Sequence, residues 1–263
     1  MTFNLKLSLN LLAAGFSLTY LAASAQAACV SGDCAAMGYN KTESACSGDI
    51  IRCPFDTSKV FCKEKEVYVM EAGDILYSDK TTAHYHTDDS KTPIGIVVDP
   101  ERRLAMALSC SAKQWAADRT FANNNIAAIP DKEPEDAKTD FNGKSYTTTI
   151  VNICGTGCPA AYYAHNYSTT GTAKGDWFLP SGGQLKLLDQ NKTDIKVGFA
   201  KVNGTFPSSG KYLLTSNEGP DKYNDFKLAI HMSLSTGESY FSTRNKYSSA
   251  YLDSDFSCPF IEF

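Results

Sequence analysis

Gly175-Asp176-Trp177-Phe178-Leu179-Pro180-Ser181-Gly182-Gly183-Gln184-Leu185 is the stretch on which the fold reading turns. Ser181 and Gln184 have the Ser-x-x-Gln spacing of a capping box, which marks the start of a helix. Leu185, Leu188, Ile195 and Phe199 follow at helical spacing, so a helix is expected from here on. Gly171 and Gly175 break the chain just before it. Pro159 opens residues 159–167, which read as an earlier helix because proline is tolerated in a first helical turn. Residues 146–153 are ambiguous: their threonines favour strand while their position suggests a short helix.

Outward from these helices the texture is extended. Residues 66–77 alternate and are rich in Val, Ile, Leu and Tyr. Residues 93–98 and 103–108 are aliphatic runs separated by Asp99-Pro100-Glu101-Arg102, which is turn chemistry. Three strands are read there, the last two as a hairpin. Residues 130–144 are polar and loop-like. Short strands are expected again over 212–215, 226–232, 238–241 and 256–263. The fold class is therefore α+β, with antiparallel strands and two helices.

Residues 1–27 read as a secretory signal peptide. Lys6 supplies a small positive start, residues 7–21 are mainly apolar, and Ala25-Gln26-Ala27 is a small-x-small cleavage site. Cys29 follows small residues, so a lipid anchor on it is the alternative ending. No other segment is long and apolar enough for a transmembrane helix. Residues 28–66 form a cysteine-rich segment with Cys29, Cys34, Cys46, Cys53 and Cys62. So short a segment needs covalent staples, because it cannot bury a sufficient core. Nine cysteines in the chain place it in an oxidising compartment. Secreted, cell-surface and periplasmic locations all satisfy that. The 43% hydrophobic content supports a folded main domain over residues 67–263, and the net charge of −4 argues against a nucleic-acid partner.

The Gly175–Leu185 stretch, together with Gly73-Asp74-Ile75-Leu76-Tyr77-Ser78-Asp79 and Lys91-Thr92-Pro93-Ile94-Gly95-Ile96-Val97, resembles a group of secreted bacterial proteins. It is similar to the C-terminal domain of bacterial collagen-like adhesins, which resembles the C-type-lectin and formylglycine-generating-enzyme fold. The resemblance covers residues 67–263. It implies a C-type-lectin-like domain of twisted antiparallel strands and two helices, and a partner that is a glycan or protein at the cell surface. In such folds calcium and ligands sit in long loops, which carries over to Glu218, Asp221 and Asp225 as calcium ligands, with Asn217 and Asn224 nearby. Trp177, Asn217, Glu218, Tyr247 and Tyr251 are the expected ligand-binding residues, since aromatic side chains join apolar area to a polar handle. Tyr162, Tyr163 and Tyr167 belong to the same tyrosine-rich half.

Other chemistry is thinner. His84-Tyr85-His86 would put two imidazoles on one face of a strand, as a metal site needs. No Gly-x-Ser-x-Gly, phosphate loop or His-Glu-x-x-His is present, so no enzyme class is indicated. A structural component of the envelope or of an appendage is the alternative to a binding protein. Four cysteines of the main domain allow three pairings. The resemblance favours Cys110–Cys258, because lectin-like domains bring their two chain ends into one sheet. Cys154 and Cys158 flank a flexible Gly155-Thr156-Gly157 loop and pair with each other in that scheme.

Overall fold

The computed structural model describes Cys34, Thr42 and residues 49–54, 56–63, 68–86, 89–122, 126–220, 228–237, 239–247 and 254–263. The signal segment 1–27, Cys29, Asp221, Asn224, Asp225 and Tyr251 lie outside the described residues. The chain divides into two units, Met1–Tyr68 and Val69–Phe263.

In the first unit β1 (Asp49–Arg52) pairs antiparallel with β2 (Val60–Lys63), with Ile51 opposite Phe61. The connecting turn is closed by Asp56, whose Oδ1 accepts from the Ser58 backbone and hydroxyl at 3.0 and 2.6 Å. Cys53 is buried and disulfide-bonded to Cys34, while Ile51 and Phe61 stand exposed.

The second unit is α+β. One sheet of six strands has the order β4-β3-β5-β6-β13-β8, all antiparallel. These are β3 (Ile75–Tyr77), β4 (Thr82–Ala83), β5 (Pro93–Asp99), β6 (Leu104–Ala107), β8 (Trp177–Phe178) and β13 (Phe260–Glu262). The expected hairpin is β5–β6. Asp99 Oδ1 shapes its turn by accepting the Arg102 backbone N–H at 2.8 Å. The second sheet has the order β11-β10-β9-β12-β7. It comprises β7 (Ser111–Ala112), β9 (Tyr212–Glu218), β10 (Leu228–Ser233), β11 (Tyr240–Asn245) and β12 (Asp255–Ser257), and only the β9–β12 pair is parallel.

Period-two alternation builds two cores from one strand. On β6, Leu104 and Met106 join a cluster with Phe178, Leu185, Leu188, Ile195, Phe199, Leu213 and Phe260. Ala105 and Ala107 face the other way, against Leu76, Ile94, Trp177 and Ile261. Both faces of the six-stranded sheet are thus covered. The disulfide Cys110–Cys258, with Cα atoms 4.4 Å apart, ties the chain after β6 to the chain before β13.

Six α-helices occur among the described residues, where two were expected. They are α1 (Arg119–Ala122), α2 (Pro134–Ala137), α3 (Gly143–Cys154), α4 (Pro159–Asn166), α5 (Gly182–Gln190) and α6 (Lys192–Lys201). The ambiguous threonine stretch is helical. Thr147, Thr148 and Thr149 each turn a hydroxyl back to the carbonyl four residues earlier, at 2.8 to 3.0 Å, which reconciles them with a helix. The single long helix expected after Ser181 is instead two, parted at Asn191. At this junction the Asn191 side-chain Nδ2 donates to Val98 O at 3.0 Å, while its backbone N–H still bonds to Leu187 O at 3.1 Å.

Gly182 and Gly183 are where the opening motif acts. A Cβ on Gly182 would lie 2.5 Å from Ala137 O, and one on Gly183 2.4 Å from Asp140 O. Only glycine lets the start of α5 approach this backbone. The Ser181 N–H donates to Gln184 Oε1 at 2.8 Å, the backward half of the capping box, while Ser181 Oγ donates to Asp140 O at 2.6 Å.

Candidate functional site

Three residues expected to meet a ligand are inside the domain. Trp177 is fully buried in the core on the outer face of the six-stranded sheet, its indole N–H donating to Thr172 Oγ1 at 3.0 Å. Asn217 is also fully buried. Its Oδ1 accepts the Gly182 N–H at the start of α5 at 2.7 Å, and its Nδ2 donates to Asp140 Oδ2 at 2.9 Å. Asp140 is ion-paired with Lys132 at 3.2 Å. Burial pushes the Asp140 carboxyl up, but bonds from Asn142 and Lys132 outweigh it and hold the group below the usual carboxylate range. Asn217 is therefore a capping residue.

Glu218 is 1% exposed and forms a buried ion pair with Lys246, equally hidden; its Oε2 accepts the Ile126 N–H at 3.0 Å. Burial pushes the Glu218 carboxyl up, and Lys246 offsets part of that. Lys246 also lies 4.5 Å from the centre of the Trp115 ring. With its oxygens committed in this way, Glu218 is not the calcium ligand it was expected to be. Asp221 and Asp225, its expected partners, lie outside the described residues. Tyr247 is half-buried against the cluster of Trp115, Ile150 and Ala161, and its backbone N–H donates to Asn245 Oδ1 at 3.0 Å.

The two histidines of His84-Tyr85-His86 are anchored apart. His84 Nδ1 is 2.6 Å from Oδ1 of the buried Asp74, whereas His86 Nδ1 is 3.2 Å from the Tyr77 hydroxyl. Among the described residues no three His, Cys, Asp or Glu side chains are grouped to hold a metal ion. His231 and Ser242 sit opposite each other on β10 and β11, with Nε2 and Oγ 2.8 Å apart. This resembles a nucleophile and its base. Burial, aided by Arg244, holds the His231 imidazole down at about 3, which makes it too weak a base for that work near neutrality.

The tyrosines that do form a recess are on α4 and at its C-cap, Tyr167. Ala160, Ala161 and Ala164 turn into a third core, with Trp115, Ile150, Leu214 and Ala229, which puts the larger residues on the outer side. Tyr162, Tyr163, Asn166, Tyr167, Ser168 and Lys113 line an open groove of about 470 Å³. Its aromatic wall is braced. Tyr163 and Tyr167 meet edge to face at 5.8 Å, one helical turn apart, and Tyr167 stands edge-on to Trp177 at 5.2 Å. Trp177 thus supports the groove from behind. Tyr167 Oη is 3.1 Å from Ser109 Oγ, and the Lys113 ammonium lies 5.4 Å from the Tyr163 ring centre. The signal for this site was the Ala-Ala-Tyr-Tyr-Ala order of residues 160–164, with small residues on one side of a helix and tyrosines on the other. No protein-family model, curated protein or solved structure matches the chain.

Proposed function

We propose that this chain is an exported binding protein whose main domain is C-type-lectin-like, and that the α4 groove holds a glycan. The observation that carries the reading is the display of Tyr162, Tyr163 and Tyr167 along the groove, on the side of the helix away from its buried alanines. Tyrosine rings offer flat apolar faces to the C–H surfaces of a sugar ring. Asn166, Ser168 and Lys113 offer the polar contacts that would orient its hydroxyls. Three disulfides among the described residues fit an oxidising location, and no helix there is long and apolar enough to cross a membrane.

The test is a glycan array probed with the oxidised chain beginning at Ala28, beside its Tyr162→Ala variant. Binding to a defined set of glycans that falls at least roughly tenfold in the variant supports the reading. Absence of any glycan hit, or hits untouched by Tyr162→Ala, overturns it. Capture of a protein in place of a glycan would move the same groove to protein recognition.

A further inference from the structure

The Cys154–Cys158 disulfide joins the last residue of α3 to the residue that caps α4, across Gly155, Thr156 and Gly157 alone. Its two sulfurs are not equivalent. Cys158 is fully buried and sits at the N-terminus of an eight-residue helix, its carbonyl accepting the Tyr162 N–H at 3.0 Å. Cys154 is partly exposed at the end of α3. The intervening loop is thin. Gly155 has φ of 50° with open space on its side-chain side, and Thr156 is exposed. Thr156 and Pro159, chain neighbours of the two half-cystines, line the same open groove as the tyrosines.

We infer that Cys154–Cys158 is an exchangeable disulfide, able to accept electrons from a cysteine pair of another protein. A thiolate of that pair attacks Sγ of Cys154, the more accessible sulfur. The Cys154–Cys158 bond breaks and a mixed disulfide to Cys154 forms. The electron pair leaves on Cys158 Sγ, where the N-terminal end of α4 stabilises the thiolate. A better-stabilised leaving thiolate departs faster. The second thiol of the partner, deprotonated, then attacks the partner's own sulfur in the mixed disulfide and releases Cys154. The sum is two electrons passed from the partner dithiol to this chain, leaving a partner disulfide and two thiols here, the protons coming from the dithiol by way of solvent.

The other described disulfides are placed differently. Cys34 and Cys53 are both buried; Cys110–Cys258 also pairs a partly exposed sulfur with a buried one, Cys110 lining a recess of its own, but it holds distant segments of the sheets together and neither half caps a helix. Opening Cys154–Cys158 releases a loop of three residues, while α3 and α4 remain packed on each other and on the core. The inference requires only access to Cys154, whatever ligand the groove takes.

The test uses the oxidised mature chain and reduced glutathione as the probe thiol. Samples are acid-quenched over time, alkylated and mapped as peptides. The expected result is a first glutathione adduct on Cys154, with Cys154–Cys158 opening at least roughly tenfold faster than Cys110–Cys258 and Cys34–Cys53. A pair that survives as long as those two, or a first adduct on Cys158, overturns it. Because the readout is the disulfide itself, a groove that binds no glycan leaves this result standing.

Discussion

The ammonium of Lys246 and the carboxylate of Glu218 meet inside the domain, each 1% exposed, with Trp115 covering the lysine. A lysine at the end of β11 and a glutamate at the end of β9 thereby become a structural pair. Breaking such a pair leaves a charge without water and without its counter-ion.

Lys246→Met is expected to destabilise the domain by about 3–5 kcal/mol, because Glu218 stays buried and unpaired. Adding Glu218→Gln should restore a large part of the loss. Urea unfolding of the two variants checks this, and equal stability of the single and double variants contradicts it.

Stability should also carry the mark of His231. Burial holds its imidazole at about 3 in the fold against the ordinary 6.5, so folding favours the neutral form. That contribution is complete above the unfolded value and is lost as pH falls from about 6.5 toward 3, on the order of 5 kcal/mol in all. Asp255 works the other way. Burial raises it to about 6 despite Arg244, so its protonation stabilises the fold as pH drops from above 6 to below 3.8. His231→Gln should flatten the acid decline in unfolding free energy and Asp255→Asn should steepen it. Denaturant midpoints between pH 7.5 and 4 give the comparison.

Gly182→Ala places a methyl 2.5 Å from a backbone carbonyl, so the start of α5 must shift away from α2. A loss of about 1–3 kcal/mol or more is expected in thermal unfolding, even though alanine is the better helix former. A stabilised variant would show that the contact relaxes freely.

Removing the Cys110–Cys258 bond with a Cys110→Ala, Cys258→Ala double variant should cost about 4–5 kcal/mol in the chain-entropy treatment, since the bond closes 148 positions. Guanidinium unfolding under oxidising conditions measures it. A change below about 1 kcal/mol would mean that the sheets alone hold these strands together.

Much of the architecture was legible because it is written in local chemistry. The Ser181–Gln184 spacing marked the start of α5, Asp99-Pro100 marked the β5–β6 turn, and Pro159 marked the start of α4. These signals depend on backbone geometry a few residues long, which a sequence states directly. The boundary at Asn191 was not legible, because the Asn191 side chain is held by Val98 O on β5, 93 positions away.

The sequence by itself determined the residue types available for recognition, the half-cystines and the α+β pattern. Tertiary structure alone decided which polar and aromatic residues meet water. Asn217 and Glu218 look like loop ligands in a linear reading, yet Gly182 N–H and Lys246 claim them from elements far along the chain. Trp177 went to the core for the same reason. A side chain's exposure is set by what packs over it, and those partners are brought by the fold rather than by neighbours in the chain. The tyrosines of α4 face outward because the alanines beside them fill a core built from β9, β10 and the segment around Trp115.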